Sequence, residues 1–204
     1  MANKPVLLRK VAGGKVYQGN IFMLENVRLS YAHLDKPYAG TSDDGTPAQP
    51  SFSVTCIMDK KTSVGIKDEL VKAFQQIKKD NKDAKVAKDK LCLRDGDDAD
   101  KEEYEGAWTL NAREKRRPKV RDINGELLES ELDIANEVYS GCYANVLIRL
   151  WFQDNKFGKR INANLVSVRK KADGEQFGEG GIDDEGLYDD DDEEAGFSDD
   201  EDEI

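Results

Sequence analysis

The stretch CYANVLIRLWFQDNKFGKRINANLVSVRKK, residues 142–171, carries the clearest pattern in the chain. Its first limb alternates with period two. Cys142, Ala144, Val146, Ile148, Leu150 and Phe152 fall on one face, as expected of a strand laid against a core. The opposite face reads Tyr143, Asn145, Leu147, Arg149, Trp151 and Gln153. Two large aromatics and an arginine stand there, where a plain solvated strand would carry small polar residues. That face can serve as a stacking platform built on Tyr143, Arg149 and Trp151, or it can pack on a helix. The DNKFG segment is short enough to turn the chain back, so residues 142–171 read as a hairpin.

Working outward, NIFMLENVRLSY (20–31) alternates as a strand, with Phe22 and Leu24 on one side and Met23, Val27, Leu29 and Tyr31 mostly on the other. Residues 33–50 hold Pro37, Pro47 and Pro50 with two glycines and read as a long loop. SFSVTCIMD (51–59) is a second clear strand. The period then changes: Ile66, Leu70, Phe74 and Ile77 line one face of a helix over 64–80. An acidic loop (91–106) leads to a strand at 106–113, a basic run at 114–122 and an Asn124-Gly125 turn. About five strands, a helix inserted after the second, and a closing hairpin describe a mainly β protein. The five-stranded OB-fold barrel fits this count, among other small folds mixing strands and helices.

Charge divides the chain sharply. The formal net charge is −11, yet 17 of the 42 acidic residues lie in 173–204, where there is no Lys or Arg. Residues 1–172 therefore hold 25 acidic against 31 basic residues, a net charge of +6. We divide the chain into a basic leader (1–15), a folded domain (16–172) and an acidic C-terminal tail (173–204) expected to be disordered, because its charges repel and it has little to bury. A basic body with an acidic tail points toward nucleic acid. No apolar run approaches a membrane span, MANKPVLLRK lacks a signal-peptide core, and three scattered cysteines suit reduced thiols, so a cytoplasmic setting is expected.

Catalytic and metal readings find little support. His33 stands alone, Gly13-Gly14-Lys15 lacks phosphate-loop spacing, and the acidic run at 95–100 has its glycine in the wrong place for a calcium loop. No catalytic residue, metal or cofactor is implied. The informative stretch is WTLNAREKRRPKVR (108–121): Trp108 and Asn111 on a strand, then Arg113, Lys115, Arg116, Arg117, Lys119 and Arg121, with Glu114 the one acidic residue. Cations that track phosphates beside rings that stack bases are what single-strand binding needs. Lys159 and Arg160 open the second limb of the hairpin and extend the basic set.

Several stretches, in one order, resemble a known family. NVRLSYAHL (26–34), LRDGD (93–97), YEGAWTLNAREKRRPKV (104–120), YSGCY (139–143) and VRKKADGEQFG (168–178) are similar to phage and prophage single-stranded-DNA-binding proteins with an OB-fold, formerly of unknown function. The resemblance covers about residues 20–178. It implies that the basic run and the neighbouring aromatics lie in or near a groove for single-stranded DNA. A monomer or dimer that works in replication or recombination and binds duplex DNA more weakly is expected. The plan is also similar to that of other tailed-phage single-strand binders, whose acidic tails commonly close on an aromatic residue. Here the chain closes on Asp-Glu-Ile, with Phe197 seven residues before Ile204. The tail is expected to compete with DNA for the basic groove and to recruit replication or recombination proteins through Phe197 and Ile204. An acidic DNA mimic that sequesters a DNA-binding enzyme is the alternative, and a body of +6 speaks against it.

Overall fold

The hairpin read from residues 142–171 is the spine of the molecule. In the computed structural model, which describes residues 4–41, 45–156 and 158–178, β9 (Tyr143–Asn155) and β10 (Gly158–Ala172) pair antiparallel along nearly their whole length. The other strands are β1 (Leu7–Val11), β2 (Gly14–Tyr17), β3 (Ile21–Tyr38), β4 (Ser51–Asp59), β5 (Leu93–Asp95), β6 (Ala107–Glu114), β7 (Lys119–Arg121) and β8 (Leu127–Leu128). Helix α1 spans Val64–Asp80, the range its apolar spacing predicts, and α2 spans Glu131–Glu137.

Five of these strands close a ring. β3 pairs antiparallel with β4 and with β9, β4 pairs antiparallel with β6, and β6 runs parallel to β10, which returns to β9. Closure leaves none of the five with a free edge along its barrel segment, and this arrangement is the OB barrel. Its interior holds Leu24, Leu29, Met58, Leu110, Ile148, Ile161 and Leu165, with Ile66, Leu70, Phe74 and Ile77 of α1 packed against the same core. The even positions of β9 point inward through Leu150, as their alternation predicts, and Phe152 is half-buried.

Four departures from the sequence reading have local causes. Simple alternation puts Leu24 opposite Val27 and Leu29, but all three are buried. A register shift between Leu24 and Val27, with Asn26 at φ 52°, inserts the extra residue that turns them to one side. β3 also runs on through Pro37 to Tyr38, into the expected loop. Its pairing there is sparse (His33 with Ser53, Tyr38 with Ser51), so a proline without an N–H is tolerated. The acidic loop carries β5 on the edge of β6, and Lys60 pairs with both Asp95 and Asp97. The helix α2 lies in the connection from β6 to β9; the Ser130 hydroxyl caps it by accepting from the Asp133 N–H at 3.0 Å.

Both ends of the division proposed from the sequence meet structure. The leader forms the β1–β2 hairpin, β2 pairs with β3, and Arg9 of β1 binds Glu69 of α1 (Nε to carboxylate 2.8 Å). A cut at residue 16 would fall inside β2. Residues 173–178, the start of the tail expected to be disordered, form a strap against the barrel. Asp173 pairs with Lys170 at 2.8 Å and accepts from the Tyr139 hydroxyl at 3.0 Å, and the Phe177 N–H donates to the Ser140 carbonyl at 2.9 Å. Gly141, at φ 113°, and Gly174 meet beneath it, and a Cβ on either would overlap the other strand's backbone. The rest of the tail, with Phe197 and Ile204, lies outside the described residues.

Candidate nucleic-acid interface

Parity on β6 decides what the outer surface offers. Trp108, Leu110 and Ala112 pair with Met58, Cys56 and Val54 and take the inward positions. Thr109, Asn111 and Arg113 point outward with Ser53 and Thr55 of β4, and together they floor a groove of about 900 Å³. These are short side chains. The Thr55 hydroxyl donates to Asn111 Oδ1 at 2.5 Å, and Arg113 is exposed with no carboxylate partner among the described residues.

One wall of this groove is aromatic. Tyr31, His33 and Tyr38 come from the outer half of β3, where pairing to β4 is interrupted. The rings of His33 and Tyr38 stack with centroids 4.5 Å apart and planes 10° from parallel. Tyr31 and Tyr38 are each more than half exposed, at 52% and 56%. Tyr31 adopts φ 47°, a left-handed conformation that is costly for a bulky residue and gathers at functional sites. The groove is also lined by Lys88, Arg94 and Lys101 together with Asp89, Asp95 and Asp98; Lys88 pairs with Asp98 at 3.3 Å, and Arg94 stands on β5, on the far side of β6 from β4. The Lys101 ammonium lies 4.4 Å from the Tyr31 ring centroid, and its hydrogen bond to the Tyr31 hydroxyl raises its pKa above the usual lysine value. Exposed rings with a lysine beside them, and Arg94 and Arg113 along a floor of small polar groups, can hold bases by stacking and phosphates by charge.

The residues singled out from the sequence are dispersed around the barrel. Asn111 and Arg113 lie in this groove. Arg116, Arg117, Lys119 and Arg149 line a second groove of about 1290 Å³, and Lys115 is exposed between the two. Arg117 is engaged by Glu131 at 2.7 Å and by the Asp35 carbonyl at 3.0 Å. Arg121 donates to the Gly125 carbonyl at 2.9 Å and closes the β7–β8 turn. Trp108 packs against the core with Lys67 of α1 over its ring at 5.2 Å, away from the groove face. Tyr143 is half-buried near the strap, with Arg28 5.9 Å from its ring centroid. Trp151, 40% exposed, sits towards the free end of the β9–β10 hairpin with Lys159 and Arg160. Lys159 pairs there with Asp154 at 3.7 Å. The sequence reading missed Tyr31, His33 and Tyr38 as site candidates. Their signal was the tyrosine-histidine alternation in YAH (31–33), hidden by the proline-rich stretch that follows.

Other chemistry is sparse. Among the described residues no group of three or more His, Cys, Asp or Glu is placed to hold a metal ion. Burial pushes the thiols of Cys56 and Cys142 up, and that of Cys92 up to about 12, so none is a ready nucleophile. Among the described residues no helix is long and apolar enough to cross a membrane.

The family model of the single-stranded-DNA-binding protein of Enterobacter phage Enc34 matches residues 21–198 of the chain. The chain belongs to this family. Within it, the solved structure of the Enc34 protein in complex with single-stranded DNA is 45% identical, covers 87% of this chain and 100% of its own, and superposes with a TM-score of 0.80. A protein described as putative protein p50, from Acyrthosiphon pisum secondary endosymbiont phage 1, is 29% identical over 169 residues, which is 78% of this chain and 87% of that protein. The single-stranded-DNA-binding protein gp2.5 of bacteriophage T7 shares the fold, with a TM-score of 0.51 at 20% identity over 87% of this chain and 97% of its own. The OB barrel of the Enc34 family is thus the scaffold that carries both grooves.

Proposed function

We propose that this chain binds single-stranded DNA without sequence preference along the first groove and protects it during phage DNA replication or recombination in the host-cell cytoplasm. The observation that carries this reading is the wall of Tyr31, His33 and Tyr38 beside the Thr55–Asn111 floor, with Lys101 against the Tyr31 ring and Arg94 and Arg113 lining the same groove. Stacking on open rings tolerates any base, and cations follow the backbone whatever its sequence. The role is one of binding, with no catalytic step. Membership of the Enc34 family supports the same reading.

The tail extends it. The strap ends at Gly178 beside Phe177, which packs on Ile57, Tyr104 and Ala107, and Tyr104 also lines the first groove. The strap thus ends near the rim of the first groove, and the acidic residues that follow it in sequence compete for the basic surface at millimolar effective concentration. Displaced by DNA, they are free to recruit replication or recombination proteins through Phe197 and Ile204. Fluorescence titration with oligo-dT and with a matched duplex tests the central reading. Tight, salt-sensitive binding of oligo-dT with weaker duplex binding is expected. Equal affinity for both, or indifference to salt, would overturn it.

A further inference from the structure

The second groove differs in chemistry from the first. Lys4, Arg116, Arg117, Lys119 and Arg149 rim it with one carboxylate, Glu114; all five cations are exposed, and Arg117 is paired with Glu131. Lys4, Arg116, Lys119 and Arg149 make no ion pair among the described residues. Its floor is apolar: Val6, Ile21, Leu147, Leu165 and Val166, of which Val6 is 59% and Val166 40% exposed. Among the described residues no aromatic ring lines it. A surface without rings is poorly suited to stack bases, while greasy ground inside a basic rim fits a chain that is acidic and carries occasional apolar side chains.

Such a segment exists in this protein. Residues 179–204 contain 15 carboxylates, no Lys or Arg, and the apolar side chains Ile182, Leu187, Tyr188, Phe197 and Ile204. We infer that the second groove is the seat of the protein's own acidic tail, with Phe197 set on the Leu147–Val166 floor and the flanking carboxylates on the basic rim. The inference rests on the reading that the tail competes with DNA for the basic surface, and it names where. Reach is sufficient. The 19 residues from Gly178 to Phe197 span roughly 25 Å as a flexible coil and up to about 60 Å extended, against a body radius of gyration of about 16 Å. Competition with DNA then needs no overlap in the first groove. Arg113 of the first groove pairs with Asn164 of the second, and Arg116, Arg117 and Lys119 follow it in the chain, so DNA running past Arg113 meets the cations that hold the tail.

The buried native thiols make a clean test possible. A nitroxide attached to Ser198→Cys in the full chain labels the tail next to Phe197, and amide signals report where it settles. The expected result is loss of the signals of Gly19, Leu147 and Val166, with those of Ser53, Thr55 and Thr109 retained. Placing a charge on the floor by Val166→Glu, or removing the ring by Phe197→Ala, should restore the lost signals. Loss at Ser53 and Thr55 instead would seat the tail in the first groove and overturn the inference. So would no loss anywhere, or a loss at Val166 that Phe197→Ala leaves unchanged. Oligo-dT titration of the same samples is read separately, so failure of DNA binding and failure of tail docking are distinguishable.

Discussion

The guanidinium of Arg28 lies 4.1 Å from the centroid of the Phe177 ring, and its two ends donate to the carbonyls of Gly141 (3.0 Å) and Glu175 (2.9 Å). One side chain of β3 thereby pins the strap that launches the acidic tail. Arg28→Ala should release it. The Phe177 amide, held by the Ser140 carbonyl, should lose its protection from hydrogen exchange, while the amides of β9 and β10 keep theirs. Unchanged exchange at Phe177 would mean that Asp173 and Tyr139 hold the strap without Arg28.

Ring position separates binding from stability. Tyr31→Ala and Tyr38→Ala remove exposed rings from the groove wall, and each should weaken oligo-dT binding by about 1–3 kcal/mol if its ring stacks a base. Thermal midpoints should move little. Trp108→Ala should do the opposite, costing roughly 2–3 kcal/mol of stability for a half-buried ring and leaving affinity near wild type. Paired melts and titrations check both, and a Trp108 variant that melts normally but binds poorly would return that ring to the site.

Much of the fold was readable because period and burial agree. β4, α1, β9 and β10 each present one clean apolar face, and the ranges drawn from it for β4 and α1 match the structure. The helix α2 was missed because its seven residues bury only Ile134, too little for a periodic signal, although Ser130 three places before Asp133 is a capping pattern. The site was harder. Trp108 and Asn111 are neighbours on one strand, but their parity sends them to opposite faces, and only the pairing of β6 with β4 reveals which face is outside. Tyr38 reaches His33 because β3 continues through Pro37, which composition alone assigns to a loop. Closure of the barrel placed Arg149 and Trp151 on its β9 side, away from the groove on β4 and β6.

Acid should loosen the leader first. Burial pushes the Glu69 carboxyl up, but Arg9 and Lys72 more than offset this and hold it below the usual glutamate range. A depressed acid stabilises the fold above its unfolded pKa of about 4.3, and that contribution is lost as pH falls through the lower folded value. Glu69→Gln should therefore cost about 1–2 kcal/mol at neutral pH, a modest figure because Arg9 is half exposed, and nothing once wild-type Glu69 is itself protonated. Urea melts from pH 7 down to acid would show the two proteins converging, and parallel curves would assign the acid sensitivity elsewhere.

Salt dependence ties the grooves to the tail. Arg113 and Lys101 stand on the first groove, so replacing either with alanine should lower the slope of log affinity against log salt by about 0.7 for each phosphate it neutralises. Removing residues 179–204 deletes 15 carboxylates and should instead tighten oligo-dT binding. The gain should be largest at low salt and fade as salt rises, since ions screen the tail's hold on the body. The slope itself should steepen on truncation. In the full chain DNA must first displace the tail, and the tail's own release is favoured by salt, which offsets part of the loss in DNA affinity. A tail that serves only for solubility would leave slope and affinity untouched. A truncation that tightens binding equally at every salt concentration would locate the inhibition in contacts other than charge.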